Sequence, residues 1–388
     1  MMSRLIITNG RVITPWQVLE KGTVVVEEGK IVAVREGSGP PDPKATVIDA
    51  AGKIVSPGYI DIHVHGAAGY DTMDATPQAI QGMARFFASH GVTGFLPTTI
   101  TAPQGAILAA IENAALCQRE GTGGARVLGV HLEGPYISPS QPGAQPPQYI
   151  RPADPQEYPQ FFAWDNIKLI TLAPEIPENS AFIPYAVSRG AAVAVGHSAA
   201  SYEELVDAVA SGLTQSSHTF NGMVGLHHRQ PGTAGACLAL DEIYAQVIVD
   251  NVHIHPAVVK ILVRAKGTKR TLLITDAMRA TGMSDGEYDL GGQKVIVSRG
   301  EARLPSGTLA GSTLTIDQAV RNVMMDAGLT FEEALPMATS VPAESIGLGD
   351  QVGSIAPGKA ADIVLLTPDY RVVMTMVGGQ VVYQASET

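Results

Sequence analysis

Eight short runs rich in apolar and β-branched residues alternate with segments of helical period, and this alternation restricts the fold more than any other feature of the sequence. The runs are Ile60 to His65, Gly94 to Pro97, Val127 to Leu132, Ile167 to Leu172, Ala192 to Gly196, Thr214 to His218, Ile243 to Val249 and Thr271 to Thr275. Helical segments such as Thr76 to Ser89 and Tyr202 to Ser211 lie between them. Strands that are apolar on both faces suit a parallel sheet covered by helices, and eight βα units close into a (β/α)8, TIM-like barrel of the α/β class.

The two chain ends read differently. Arg4 to Thr8, Arg11 to Thr14, Gly22 to Glu27, Lys30 to Arg35 and Thr46 to Ala50 are short strands separated by Asn-Gly, Glu-Gly and a Pro-rich stretch. Asp362 to Leu366, Arg371 to Met376 and Gly379 to Tyr383 return to that style at the other end. The expected organisation is therefore a small β-sandwich domain from 1–56 plus 354–388, and a barrel from 57–353. A Gly-rich stretch containing Lys294 to Ser298 reads as a β-hairpin inserted near 285–308.

The 388 residues, 45% hydrophobic, are enough to bury a large core. The 26 Lys plus Arg against 37 Asp plus Glu give a formal charge of -11, which argues against nucleic acid or anionic membrane as a partner. An anionic small substrate then requires a local basic pocket. Cys117 and Cys237 form no CxxC pair and read as buried free thiols. The sequence MMSRLIITNG lacks the pattern of a signal peptide, and no apolar run reaches membrane-spanning length, so a cytoplasmic location is expected.

The strongest chemical signal is Asp61-Ile62-His63-Val64-His65. Side chains at i and i+2 of a strand share a face, so two imidazoles can converge on one ion. An accident of an exposed face would produce the same pair. Against that, Glu133, His197, His218 and Asp276 each stand at the C-terminal end of another expected strand, where barrel active sites lie. Imidazole and carboxylate together suit zinc, iron(II), manganese or cobalt.

With these residues in view, the chain resembles the N-acetylglucosamine-6-phosphate deacetylase family of the amidohydrolase superfamily. The resemblance rests on SPGYIDIHVHG (56–66), HGVTGFLPTT (90–99), HLEGPYI (131–137), TLAPE (171–175), VGHS (195–198), HTFNGMVGLHHRQPG (218–232), TDAM (275–278) and SGTLAGSTLTIDQAV (306–320). It implies a main metal held by Glu133, His197 and His218, a second through His63 and His65, and Asp276 as catalytic aspartate and further ligand. One or two divalent transition metals per chain, zinc first, are thus expected, along with a homodimer. The same resemblance places Asn221, Gly222, Arg229 and His253 at the phosphate, Leu309, Ala310 and Gly311 at the sugar, and the Arg229 segment across a dimer interface. His131 supports the metal ligands, whereas His90 and His255 read as structural.

The implied reaction is hydrolysis of the acetamide of N-acetylglucosamine 6-phosphate to acetate and glucosamine 6-phosphate, in amino-sugar catabolism. N-acetylgalactosamine 6-phosphate or another N-acyl compound is the alternative, and a catalytically silent scaffold has no need of six converging ligands. One position departs from the family pattern. Gln145 stands where relatives carry a histidine that holds the acetyl carbonyl, and an amide donates a hydrogen bond without carrying charge.

Overall fold

A computed structural model describes residues 4–37 and 43–386. Its centre is a barrel of eight parallel strands: Tyr59–Val64, Val92–Thr99, Val130–Glu133, Ile167–Leu172, Ala192–Val195, Gln215–Ser216, Tyr244–Ile248 and Thr271–Ile274. Each pairs with the next in chain order. The ring closes where Val64 bridges Ala277, with Asp276 N–H donating to the His63 carbonyl and His65 N–H to the Ala277 carbonyl. All eight expected runs are barrel strands. The third is preceded by a two-residue piece, Arg126–Val127, because Gly129 (φ 150°) breaks the extended run. The strands are buried on both faces, as a helix-covered parallel sheet requires.

The helices carry their own start signals. Thr76 Oγ1 accepts from Ala79 N–H ahead of Pro77–Ser89, with proline at the first position. Ser201 and Glu204 form a reciprocal capping box ahead of Tyr202–Ala210.

Strands from both ends form one eight-stranded sheet, in which Ile54–Pro57 pairs with Ile363–Leu366 and joins the N-terminal strands to the C-terminal ones. Ile7, Val12, Val24, Val55, Ile363 and Met376 are among the buried residues of its own core. Gly58 leads from this sheet into the first barrel strand, where an added Cβ would meet the Thr93 side chain at 2.1 Å, so no larger residue fits.

Two local expectations need correction. Asn9-Gly10 is an irregularity inside one long strand, Arg4–Ile13, rather than a turn between two. Asn9 has φ 56° and a Cβ on Gly10 would lie 2.3 Å from Val55, so the close contact keeps the chain extended. The insertion is a three-stranded sheet, Gly286–Leu290, Gln293–Ser298 and Glu301–Arg303, whose third strand was hidden by its brevity. Its apolar face packs on Ile100, Met278 and Ala310 at the barrel mouth. The Pro-rich turn near the N-terminus falls partly at 38–42, outside the described residues.

Candidate metal centre

Six side chains from five strand ends meet at the C-terminal mouth of the barrel. His63, His65, Glu133, His197, His218 and Asp276 are all buried. Three of them, His197 (φ 47°), His218 (φ 30°) and Asp276 (φ 51°), stand in the left-handed backbone region that non-glycine residues rarely occupy. Such conformations collect where function requires a particular side-chain direction.

Glu133 is the hub. Its Oε1 lies 3.0 Å from His218 Nε2, 3.3 Å from His63 Nε2 and 3.4 Å from His197 Nε2, and its Oε2 lies 3.2 Å from His65 Nε2. Asp276 Oδ1 lies 3.2 Å from His65 Nε2 and 3.6 Å from His63 Nε2. Two triads, His63/His65/Asp276 and His63/Glu133/His218, each hold their ligand atoms within 4.8 Å of one another. His197 joins the second through His218, at 3.2 Å between the Nε2 atoms.

The far ring nitrogens explain this convergence. His197 Nδ1 lies 3.0 Å from the Gln141 carbonyl and His218 Nδ1 3.2 Å from the Asn221 carbonyl. A carbonyl only accepts, so both rings carry the proton on Nδ1 and turn the Nε2 lone pair to the centre, as metal-binding histidines do. His63 Nε2 is buried and makes no hydrogen bond among the described residues. An orphaned imidazole nitrogen facing two carboxylates is what a metal would satisfy, so the residues fit a divalent transition ion.

Electrostatics agree with this geometry. Burial alone would raise the Glu133 carboxyl, but the imidazoles around it, His63 first and then His197 and His218, hold it well below the usual range. Burial likewise opposes ionisation of Asp276, yet His63 and His65 hold it at about 2. His131 is pushed well below its usual value by burial and by the neighbouring His63, and is hydrogen-bonded to Thr171 at 2.7 Å. A neutral, tied imidazole supports the wall of the site.

Above the cluster is a cavity of about 260 Å³. Of the residues expected at the substrate, Gln145, Asn221, Gly222, His253, Leu309 and Gly311 line it. Ala310 is fully buried behind that wall, and Arg229 is exposed and outside it, its guanidinium 2.9 Å from His228 Nε2. Asp250 Oδ2 lies 2.7 Å from His253 Nδ1 and fixes that ring. Gly143 and Gly222 press on His197, where an added Cβ at either would come within 3.0 Å of the imidazole.

Gln145 is anchored on both sides. Its Nε2 donates to Glu133 Oε2 at 2.7 Å and its Oε1 accepts from Thr101 N–H at 2.7 Å, which leaves one amide hydrogen for anything else. The sequence reading missed Ile100 and Leu290 in the cavity wall, because isolated apolar residues carry no motif. It also gave no role to Asp61, whose carboxylate accepts from Thr275 Oγ1 at 2.5 Å and from His63 N–H at 3.2 Å, tying the first strand to the eighth.

A parallel barrel with a buried imidazole and carboxylate cluster at its C-terminal mouth defines the class of metal-dependent barrel hydrolases. The amidohydrolase family matches residues 54–382, and the chain belongs to it. It is 40% identical to N-acetylglucosamine-6-phosphate deacetylase of Vibrio furnissii, over 96% of this chain and 92% of that one. It is 39% identical to N-acetylgalactosamine-6-phosphate deacetylase of Escherichia coli O157:H7, over 95% and 97%. Among solved structures, a mutant N-acetyl-D-glucosamine-6-phosphate deacetylase from Mycobacterium smegmatis in complex with N-acetyl-D-glucosamine 6-phosphate superposes with TM-score 0.91 at 32% identity, covering 98% of this chain and 100% of that one.

Proposed function

We propose that this enzyme hydrolyses the acetamide of N-acetyl-D-glucosamine 6-phosphate, releasing acetate and glucosamine 6-phosphate. The observation that carries the reading is the cavity itself, with His65, Glu133, His197, His218 and Asp276 at its floor and Asn221, Gly222 and His253 on its wall. Full-length relatives of that name support it.

Glu133, His197 and His218 would hold one ion and His63, His65 and Asp276 a second, with zinc the first choice. The metal, when bound, acts as a Lewis acid that activates water and polarises the acyl carbonyl. Asp276, ionised at neutral pH, takes the proton of the attacking water and returns it to the sugar nitrogen, because the amine must leave protonated. His253, oriented by Asp250, and the backbone at Gly222 meet the phosphate. Arg229, outside its own cavity wall, is assigned to the phosphate of a second subunit's substrate in a homodimer. No helix among the described residues is long and apolar enough to cross a membrane, and a cytoplasmic location is proposed with the metabolic role.

The E. coli relative favours N-acetylgalactosamine 6-phosphate as the second reading. Acetate release from both 6-phosphates and from unphosphorylated N-acetylglucosamine, alongside metal analysis, tests the assignment. Turnover of the unphosphorylated sugar at the rate of its 6-phosphate would overturn the phosphate requirement, and faster turnover of the galacto epimer would make the second reading the first.

A further inference from the structure

Unlike His197 and His218, His63 has no backbone carbonyl at its Nδ1. That nitrogen lies 3.2 Å from Gln246 Oε1, a side-chain amide that is able to present either an oxygen or an NH2 group. What orients the amide lies deeper in the barrel. Gln246 Nε2 donates to Gln215 Oε1 at 3.1 Å, and Gln215 Nε2 donates to the main-chain carbonyl of Ser345 at 2.9 Å. Gln246 and Gln215 sit on the seventh and sixth strands and are fully buried. Ser345 ends the helix Ser340–Ser345, which packs against the first and eighth strands.

The direction of the whole chain follows from its last member. The Ser345 carbonyl has lone pairs and no hydrogen, so Gln215 must turn its NH2 group toward it and its oxygen toward Gln246. Gln246 must then offer NH2 to Gln215 and its own oxygen to His63. An oxygen there accepts a proton, so His63 carries hydrogen on Nδ1 and a lone pair on Nε2. Reversing either amide would set two acceptors or two donors face to face in a buried site, where unmet polar groups are costly.

We propose that Gln246 and Gln215 are positioning residues for the metal site: they fix His63 in the tautomer whose Nε2 lone pair faces Asp276 and Glu133, and so prepare the second ion position. The inference rests on the two-ion reading of the cluster given above.

The test combines two readouts on metal-free protein: side-chain ¹⁵N NMR of the histidines, which separates protonated from lone-pair nitrogens, and titration with Zn²⁺ alone. In the parent, His63 shows hydrogen on Nδ1. Gln246→Leu removes the acceptor, so His63 loses its tautomer preference and the second Zn²⁺ binds about 10- to 100-fold more weakly, while the first stays. Gln215→Leu, which leaves Gln246 free to turn, moves both readouts the same way by less. A parent-like tautomer together with parent-like titration in Gln246→Leu overturns the proposal, as does equal weakening of both ions with a lowered melting temperature, which marks a general structural role. Should Gln246→Leu not fold, Gln215→Leu decides, and an unchanged His63 tautomer there overturns it. If the parent binds a single ion, the two-ion reading fails, while the His63 tautomer still tests the relay by itself.

Discussion

The floor and the rim of the cavity are built in opposite ways. On the floor, Glu133 and four imidazoles are buried, come from strand ends fixed by the barrel, and hold the far nitrogens of His63, His197 and His218 by hydrogen bonds. On the rim, residues 224–231 are exposed, Leu226 is 60% accessible, and Arg229 is hydrogen-bonded to its neighbours His227 and His228. The floor draws all of its candidate ligands from one chain, whereas the rim presents an exposed apolar and cationic segment. A metal cluster must be preorganised to be useful. A phosphate-holding arginine is free to be supplied late, even by another subunit.

The largest effect is therefore expected on the floor. His218→Ala removes the ligand closest to Glu133 and leaves that carboxylate buried with less compensation. Metal analysis should find the main ion lost, and turnover should vanish with it. His63→Ala should instead spare the main ion and empty only the second position. Full metal and activity in His218→Ala would break the assignment of the primary site.

Asp276 tests chemistry rather than assembly. Asp276→Asn keeps shape and removes the acceptor of the proton, so turnover should fall by about 100- to 10,000-fold, the usual worth of a positioned acid-base group, with the fold kept and most of the metal in place. Near-native turnover would move the proton transfer elsewhere. His63 and His65 hold the Asp276 carboxyl low, so the activity of the parent should not be limited by Asp276 protonation near neutral pH.

How much of this was legible in sequence follows the same division. The six converging side chains were readable because each stands at a strand end of an eightfold pattern, and strand ends of a barrel converge by geometry. His-x-His on one strand carried its own spacing signal. Gln246 and Gln215 were not readable, since a glutamine in a strand has no spacing to its partner 31 residues away and reads as a break in the apolar pattern. Asp61 was in plain view in DIHVH, but its work is a cross-strand bond to Thr275, 214 residues on. Arg229 was placed at the substrate by resemblance, whereas its own chain leaves it outside the cavity wall.

Arg229→Ala sharpens the comparison from the rim. Loss of a charged hydrogen bond to phosphate, about 1.5 to 3 kcal/mol, should raise the Michaelis constant for the 6-phosphate and leave that for the unphosphorylated sugar almost unchanged. Mixing Arg229→Ala with Asp276→Asn chains should create sites with the parent's lower Michaelis constant for the 6-phosphate, since in the proposed dimer one mixed site has an intact aspartate and a neighbour's arginine. Equal losses on both sugars, or no recovery on mixing, would return Arg229 to a purely structural role.

The smallest effect is expected at Gln145, which joins the two regions. Its amide ties Glu133 Oε2 to the Thr101 backbone, so Gln145→Ala leaves the hub carboxylate short of one donor and a buried N–H without its acceptor. An outer hydrogen bond of this kind is worth roughly 10-fold in metal affinity or activity at the low end. If Gln145 acts through Glu133, Gln145→Ala should lower turnover and Zn²⁺ affinity together. If its remaining amide hydrogen meets the acetyl carbonyl instead, turnover should fall while the metal binds as before. Gln145→His separates the two further, because an imidazole with one donor cannot serve both Glu133 and a carbonyl while also accepting from Thr101. Turnover at or above the parent's in Gln145→His, with metal intact, would assign the position to the substrate. A parallel loss of both would assign it to the floor and make the family's usual histidine and this glutamine different solutions to different tasks.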